Sequence, residues 1–90
     1  MLTGKERAEL RGLANRMPAI LQVGKNGIEE NLVKQVDDAL TARELIKMRV
    51  LETSEDTPRE AAEKLADATD AQVVQVVGGI IVLWRKNYEK

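Results

Sequence analysis

The sequence contains no cysteine and no histidine, and its 90 residues include one tryptophan, one tyrosine and no phenylalanine. Without cysteine the chain forms neither disulfides nor thiolate metal sites. Without histidine it lacks the commonest general base and the commonest metal ligand. It also has no Walker loop, no GxSxG motif and no clustered carboxylate site. We therefore expect no enzymatic activity, no metal and no cofactor.

Long hydrophobic runs are also lacking, since none approaches the ~18 residues needed to span a membrane. The first residues lack the apolar core of a signal peptide, so a cytoplasmic protein is expected. Ninety residues suffice for one compact domain, and we predict a single domain over 1–90. Because aromatic residues are scarce, valine, isoleucine, leucine, methionine and alanine must fill its core.

Charge is unevenly distributed, although the net charge is only −1. Residues 1–49 carry nine lysines and arginines against seven carboxylates, residues 50–84 carry two against seven, and residues 85–90 carry three against one. If the two basic ends meet in space, the protein has a basic face and an acidic face. The small net charge therefore does not exclude a nucleic-acid ligand.

Helix and strand signals predict the order α-β-α-β-α-β-β. Capping boxes open the first helix at Thr3 and the third at Thr57, and Pro58 occupies the first position of the third helix. Pro18 is expected to end the first helix. The predicted elements are helices over 3–17, 28–41 and from 57, and strands over 19–23, 45–51, 71–77 and 80–86. The predicted buried stripe of the first helix comprises Leu10, Leu13, Ala14 and Met17.

These elements predict an α/β fold, a mixed four-stranded sheet with three helices packed on it. The crossovers through the second and third helices are expected to be right-handed and to join parallel neighbouring strands. Gly78-Gly79 signals a two-residue hairpin that adds an antiparallel pair. The apolar stretches of the last two strands predict strands that are covered on both faces.

The sharpest local motif is Gly24-Lys25-Asn26-Gly27, a GxxG loop between a strand and a helix. Glycines permit positive φ and a close backbone approach, and the amides of the loop and of the next helix can point at one anion. Lys25 adds a cation, so the loop suits a phosphodiester backbone. A plain tight turn is an equally good interpretation. Glu29 and Glu30 would repel an anion that came too close.

Cations along the first helix form a second candidate phosphate site: Lys5, Arg7, Arg11 and Arg16. Such residues bind phosphates without reading sequence. The alternative is a solvated helix face with a Lys5–Glu9 pair. On the second strand, Lys47 and Arg49 either add to the basic surface or protect a sheet edge. Trp84 could stack on a base, but a core or rim anchor is the preferred interpretation.

Four blocks that span the chain together resemble one known family. They are Leu2-Thr3-x-Lys5…Leu10-Arg11-x-Leu13-Ala14, Val23-Gly24-Lys25-Asn26-Gly27-Ile28, Glu44-Leu45-Ile46-Lys47-Met48, and Val74-Gln75-Val76-Val77-Gly78…Val82-Leu83-Trp84-Arg85. In this order they resemble the CRM domain family in its bacterial form, the YhbY-like ribosome-associated RNA-binding proteins. Agreement of four ordered blocks is far more specific than GxxG alone.

The resemblance implies a fold similar to the C-terminal domain of the third bacterial initiation factor, together with RNA binding. It also implies association with precursors of the large ribosomal subunit, as in the stand-alone bacterial members, whereas plant members place this domain in organellar intron-splicing factors. The GxxG loop of the family maps onto Gly24–Gly27, its basic helix positions onto Lys5 and Arg11, and its terminal-strand arginine onto Arg85.

These observations predict a monomeric, non-enzymatic protein that binds ribosomal RNA in large-subunit precursors, and neither DNA nor membranes. The predicted RNA-binding residues are Lys5, Arg7, Arg11, Gly24, Lys25, Asn26, Gly27 and Arg85, with Arg16, Lys47, Arg49 and Lys86 as further candidates. Helix 1, the loop and Arg85 are expected to share one basic face. The alternative is a protein–protein interaction module that docks a basic ribosomal protein on the acidic face of helix 3, which carries Glu60, Glu63 and Asp67.

Overall fold

A computed structural model describes residues 2–86 and shows three helices and four strands in the predicted order. The elements are α1 (Gly4–Ala14), β1 (Leu21–Val23), α2 (Glu30–Arg43), β2 (Leu45–Val50), α3 (Pro58–Thr69), β3 (Gln72–Val77) and β4 (Ile80–Trp84). The strands form one mixed sheet. The predicted fold class is therefore confirmed. Among the helices of residues 2–86, none combines the length and apolar character needed to cross a membrane.

The strand order is β1-β2-β4-β3, so β4 lies between β2 and β3. The predicted parallel pair of β1 and β2 is confirmed, but the predicted parallel pairing of β2 with β3 is wrong. The hairpin lays β4 along β3, and the other edge of β4 pairs with β2 in antiparallel fashion. The consecutive apolar residues of β4 are accordingly buried at Ile81, Val82 and Leu83, whereas Val77 on the edge strand β3 is 57% exposed.

The helices cover opposite faces of the sheet. On one face, α2 and α3 bury the larger core, whose members include Val36, Leu40, Ile46, Met48, Leu65, Ile81 and Leu83. On the other face, α1 covers a smaller core made of Leu2, Ala14, Leu45, Val74 and Val82. Because side chains alternate along a strand, β2 directs Leu45, Lys47 and Arg49 towards α1. We call the two faces the α1 side and the α2/α3 side.

The end of α1 differs from the prediction. The helix stops at Ala14, and the amides of Arg16 and Met17 then donate to carbonyls three residues back, at 3.1 and 3.0 Å, in a tight turn of the 3₁₀ type. The helix therefore ends before Pro18 is reached. Leu13 is 58% exposed, so its predicted burial is wrong. Of the predicted stripe, Ala14 is buried, Leu10 and Met17 are half-buried against the small core, and Leu13 lies to one side.

Both predicted capping boxes are confirmed. The Thr3 hydroxyl accepts a hydrogen bond from the Glu6 amide at 3.1 Å, and the Glu6 carboxylate accepts one from the Thr3 amide at 3.0 Å. Thr57 and Glu60 repeat the arrangement at 3.2 and 2.9 Å. Backbone amides and threonine hydroxyls that bond to these carboxylates hold the pKa of Glu6 and of Glu60 below the ordinary value of 4.5.

These capping boxes should make stability depend on pH. A carboxylate whose pKa is lowered by folding contributes stability above its unfolded pKa, here 4.5, and loses the contribution as pH falls through the folded pKa. We expect the urea midpoint of unfolding to fall between pH ~6 and pH ~3, and to fall less in the variant Glu6→Gln/Glu60→Gln, whose amides cap without titrating. An equal fall of the urea midpoint in the two proteins would show that the capping carboxylates do not cause the pH dependence.

Candidate nucleic-acid interface

The GxxG loop is a tight turn after β1. The Gly27 amide donates to the Gly24 carbonyl at 3.0 Å, and Lys25 and Asn26 are exposed at its corners. Gly27 has a φ of 69°, a conformation that favours glycine. At Gly24 a Cβ would meet Leu51 Cδ1 at 3.7 Å, an ordinary contact. The backbone therefore favours glycine at Gly27, the last residue of the motif, whereas internal packing does not require it at Gly24, the first.

The loop is less continuous with α2 than the sequence suggested. The helix begins at Glu30, two residues later than predicted, and the N-cap residue Glu29 makes no side-chain capping hydrogen bond. Ile28 and Glu29 therefore separate the turn from the helix, and the Gly27 amide is already bonded within the turn. The loop and the helix thus present two separate sets of amides.

A carboxylate that sequence reasoning missed lies beside this turn. Asp56 Oδ2 is 4.0 Å from the position that a Cβ on Gly27 would occupy. The other oxygen, Oδ1, accepts a hydrogen bond from Lys64 Nζ at 2.7 Å, and this bond raises the pKa of Lys64. No local signal indicated this contact, because Asp56 reaches Gly27 only through the fold. An anion meets less repulsion on the side of the turn that faces away from Asp56.

The cations predicted on the first helix are available to a ligand, although Arg16 lies in the turn that follows α1. Lys5, Arg11 and Arg16 are exposed and Arg7 is half-buried. Within residues 2–86 the ion pairs are Lys64–Asp56 and Arg85–Asp37, so none of these four cations takes part in one, and the alternative Lys5–Glu9 pair is not formed. Lys25 in the loop and Arg49 on β2 are likewise exposed and outside these pairs.

Lys47 has a structural role that the alternation of β2 did not reveal. Its ammonium donates to the carbonyls of Ala14 and Met17, at 3.3 and 3.1 Å. Carbonyls at a helix end lack partners within the helix, and a cation there also complements the helix dipole. Lys47 therefore holds the end of α1 on the sheet. Its role in RNA binding stays a prediction, as does that of exposed Arg49, two residues further along the same face.

Arg85 is bound inside the protein. One guanidinium nitrogen donates to the Asp37 carboxylate and to the Thr69 carbonyl, and the other to the Asp37 carbonyl and the Thr41 hydroxyl. The Arg85 side chain is only 18% exposed. It joins the residue after β4 to α2 and to the end of α3, and it therefore lies on the α2/α3 side.

Arg85 is also distant from the GxxG loop along the sheet. Trp84, its neighbour, pairs with Leu45 at the start of β2, whereas Val23, which precedes the loop, pairs with Val50 at the end of β2. The length of β2 separates the two. The expectation that helix 1, the loop and Arg85 share one basic face is therefore wrong for Arg85. Exposed Lys86 follows it at the same end of the sheet.

Trp84 is half-buried and packs against the small core under α1. This contact matches the preferred interpretation of Trp84 as a core or rim anchor. The indole fills the end of the core near Leu2, where the Leu2 amide donates to Gln72 Oε1 at 3.0 Å. The first residues of the described chain are thereby fixed to the start of β3.

Charge is unevenly divided between the two sides of the sheet. On the α1 side, six cations stand against the exposed carboxylates Glu6 and Glu9, whereas α2 and α3 together carry six carboxylates and four cations, Lys34, Arg43, Arg59 and Lys64. The six cations are the four predicted on the first helix, Lys47 and Arg49, and the exposed carboxylates of α2 and α3 include Glu30, Asp38, Glu60, Glu63 and Asp67. Groups of three or more potential metal ligands do not occur among the described residues. The candidate site is therefore the α1 side of the sheet, where cations outnumber carboxylates, together with the glycine turn that follows β1.

Similarity to known proteins shows the family to which this α/β domain belongs. The family model of the CRS1/YhbY (CRM) domain matches residues 2–85, so the chain belongs to the CRM domain family. It is 44% identical to the "Probable RNA-binding protein YqeI" of Bacillus subtilis over 99% of this chain and 93% of that one. A probable RNA-binding protein of Methanocaldococcus jannaschii is also 44% identical, over 93% of this chain and 63% of that one.

A solved structure shows the same fold. The solution structure of a hypothetical Staphylococcus aureus protein, described as a candidate RNA-binding protein, superposes with a TM-score of 0.83. The two sequences are 49% identical, and the match covers 99% of this chain and 93% of that chain.

Proposed function

We propose that this protein is a non-enzymatic RNA-binding protein that uses the α1 side, with the cations of α1 and the Gly24–Gly27 turn. The observation that carries the proposal is the excess of cations outside ion pairs over carboxylates on this side, in a family whose relatives are named RNA-binding proteins. Unpaired cations bind a phosphate backbone without first breaking an internal bond. The acidic α2/α3 side would face away from the RNA.

The turn supports the same proposal. A Cβ at Gly24 would make only an ordinary contact within the protein, so the glycine there serves to leave the backbone open to a ligand. Lys25 at the corner supplies a mobile positive charge. We extend the proposal to ribosomal RNA in cytoplasmic precursors of the large subunit, the role that the family resemblance implies.

A charge-reversal variant tests the binding surface. Lys25→Glu/Arg11→Glu should weaken RNA binding by about tenfold or more, because two phosphate contacts become repulsions. Lys34→Glu/Arg59→Glu is the matched control: it makes the same change in net charge, at exposed positions on the α2/α3 side. Binding is measured by fluorescence anisotropy with a ribosomal RNA fragment, and circular dichroism checks that both variants fold.

Equal loss of affinity in the two variants would indicate net charge rather than a defined surface. No loss in either would overturn the proposed RNA surface. Treatment with RNase before co-sedimentation with ribosomal precursors tests the alternative function. A complex that survives RNase and is lost in Glu63→Lys/Asp67→Lys would instead indicate docking of a basic protein on α3.

A further inference from the structure

A row of four side chains crosses the whole sheet on the α1 side. Val77 lies opposite Ile80, Ile80 opposite Arg49, and Arg49 opposite Gln22. Paired residues in neighbouring strands point to the same face, which for Arg49 is the face that carries Lys47 and α1. With strands ~4.8 Å apart, the row is about 14 Å long. We call these four residues the sheet platform.

The helix does not cover the sheet platform. Its core packing is with Leu45, Val74 and Val82, nearer the start of β2. It ends at Ala14, where Lys47 holds it one row away from the platform, and a cavity separates this end from Val77 and Ile80. Gln22 and Arg49 are exposed and Ile80 is half-buried. Val77 and Leu13 are the large apolar side chains that are exposed within residues 2–86.

The segment that leaves α1 makes a groove with this row. The groove has a volume of about 720 Å³, and its walls include Met17, Pro18 and Ala19 on one side and Gln22, Arg49 and Ile80 on the other. The GxxG turn begins directly after β1, two residues beyond Gln22, at the same end of the sheet. The groove therefore opens beside the turn to which we assign phosphate contacts.

The chemistry of the platform suits one kind of ligand. Ile80 and Val77 give an aliphatic surface, the Arg49 guanidinium is planar and outside every ion pair of residues 2–86, and the Gln22 amide can both donate and accept hydrogen bonds. The complementary group has a flat apolar face, polar edges and a nearby negative charge. A nucleotide has all three, and arginine planes are among the surfaces on which unpaired bases stack.

We propose that the sheet platform binds an unpaired nucleotide of the RNA, with the base over Ile80 and Val77 and the phosphates towards Arg49 and Lys25. This inference rests on the proposed function and names the part of the RNA that is read. Bases in a duplex stack on one another and present no free face, so the platform selects single-stranded segments next to the phosphate-binding surface.

Two RNAs separate this proposal from general RNA binding: a blunt hairpin, and the same hairpin with a short single-stranded uridine tail. The protein should bind the tailed RNA about fivefold more tightly. This gain corresponds to the lower end of the stacking energies of a base on an aromatic side chain, because the platform is aliphatic. Val77→Ser/Gln22→Ala, which changes two exposed platform residues outside the set of phosphate-binding cations, should lose this preference and bind the blunt hairpin within about twofold of the unchanged protein. Ala68→Ser, exposed on α3, is the control and should keep the preference.

The outcomes are distinguishable. If the unchanged protein binds both RNAs equally, or if the platform variant keeps the preference, the platform is overturned while the proposed function stands. If the protein binds neither RNA, the proposed function fails and the platform with it. Methyl NMR gives a second measurement: contacts should appear between the methyl groups of Val77 and Ile80 and the protons of the tail nucleotides. Their absence in a saturated complex would also overturn the platform.

Discussion

Replacement of Arg85 by alanine should lower the free energy of unfolding by about 2–3 kcal/mol. The guanidinium makes four hydrogen bonds that join β4 to α2 and α3, and its side chain is only 18% exposed. Truncation leaves the Thr69 carbonyl and the Asp37 carboxylate without this partner. The Asp37 side chain is 51% exposed, so water can hydrate its carboxylate once the arginine is removed. The expected loss of stability is therefore smaller than for a fully buried ion pair.

Urea unfolding measures the loss of free energy of unfolding, and two further variants show which property of Arg85 causes it. Arg85→Lys keeps the charge but not the planar fork, so about half of the stabilisation should be lost. Arg43→Ala removes an exposed arginine outside the described ion pairs and should change the free energy of unfolding by less than ~0.5 kcal/mol.

The same variant separates the two roles suggested for Arg85. Because its guanidinium lies on the α2/α3 side, folded Arg85→Ala protein should bind RNA with unchanged affinity. The affinity is measured well below the unfolding temperature of the variant. Weaker RNA binding without loss of stability would restore Arg85 to the RNA surface and contradict the structural role.

Features with local causes could be predicted from the sequence. The capping boxes at Thr3 and Thr57 need only residues three apart, and the hairpin at Gly78-Gly79 needs only its two glycines. The turn at Gly24–Gly27 was also identified, and the structure shows it as a hydrogen-bonded turn. Together with the hydrophobic periodicities, these signals fixed the order of the elements.

Features with distant causes could not be predicted. The β3–β4 hairpin could pair with β2 through either β3 or β4, and in the structure it pairs through β4. The alternation of apolar and polar residues within each strand is the same in both arrangements, so it cannot distinguish them. Lys47 and Arg85 appear in the sequence as ordinary basic residues near polar positions. Their partners, Met17 for one and Asp37 for the other, lie far away along the chain. The predicted basic face therefore included a residue that the fold turns to the opposite side.

Affinity for RNA should fall on the order of 10²–10³-fold between ~50 and ~200 mM monovalent salt. The α1 side and the turn carry six cations outside the described ion pairs: Lys5, Arg7, Arg11, Arg16, Lys25 and Arg49. Four to six phosphate contacts release a similar number of counterions, and the logarithm of affinity then falls linearly with that of the salt concentration. Anisotropy titrations without divalent ions give the slope.

The slope also counts the contacts that each variant removes. Lys25→Glu/Arg11→Glu should reduce its magnitude by about two, one unit for each lost phosphate contact, whereas Lys34→Glu/Arg59→Glu should leave it unchanged. A binding constant that varies less than about threefold over this salt range would contradict phosphate binding as the main source of affinity. Val77→Ser/Gln22→Ala keeps every charge and every proposed phosphate contact, so it should abolish the preference for a single-stranded tail and leave the slope intact. Backbone contacts and base contacts would then be separated by two independent measurements on one protein.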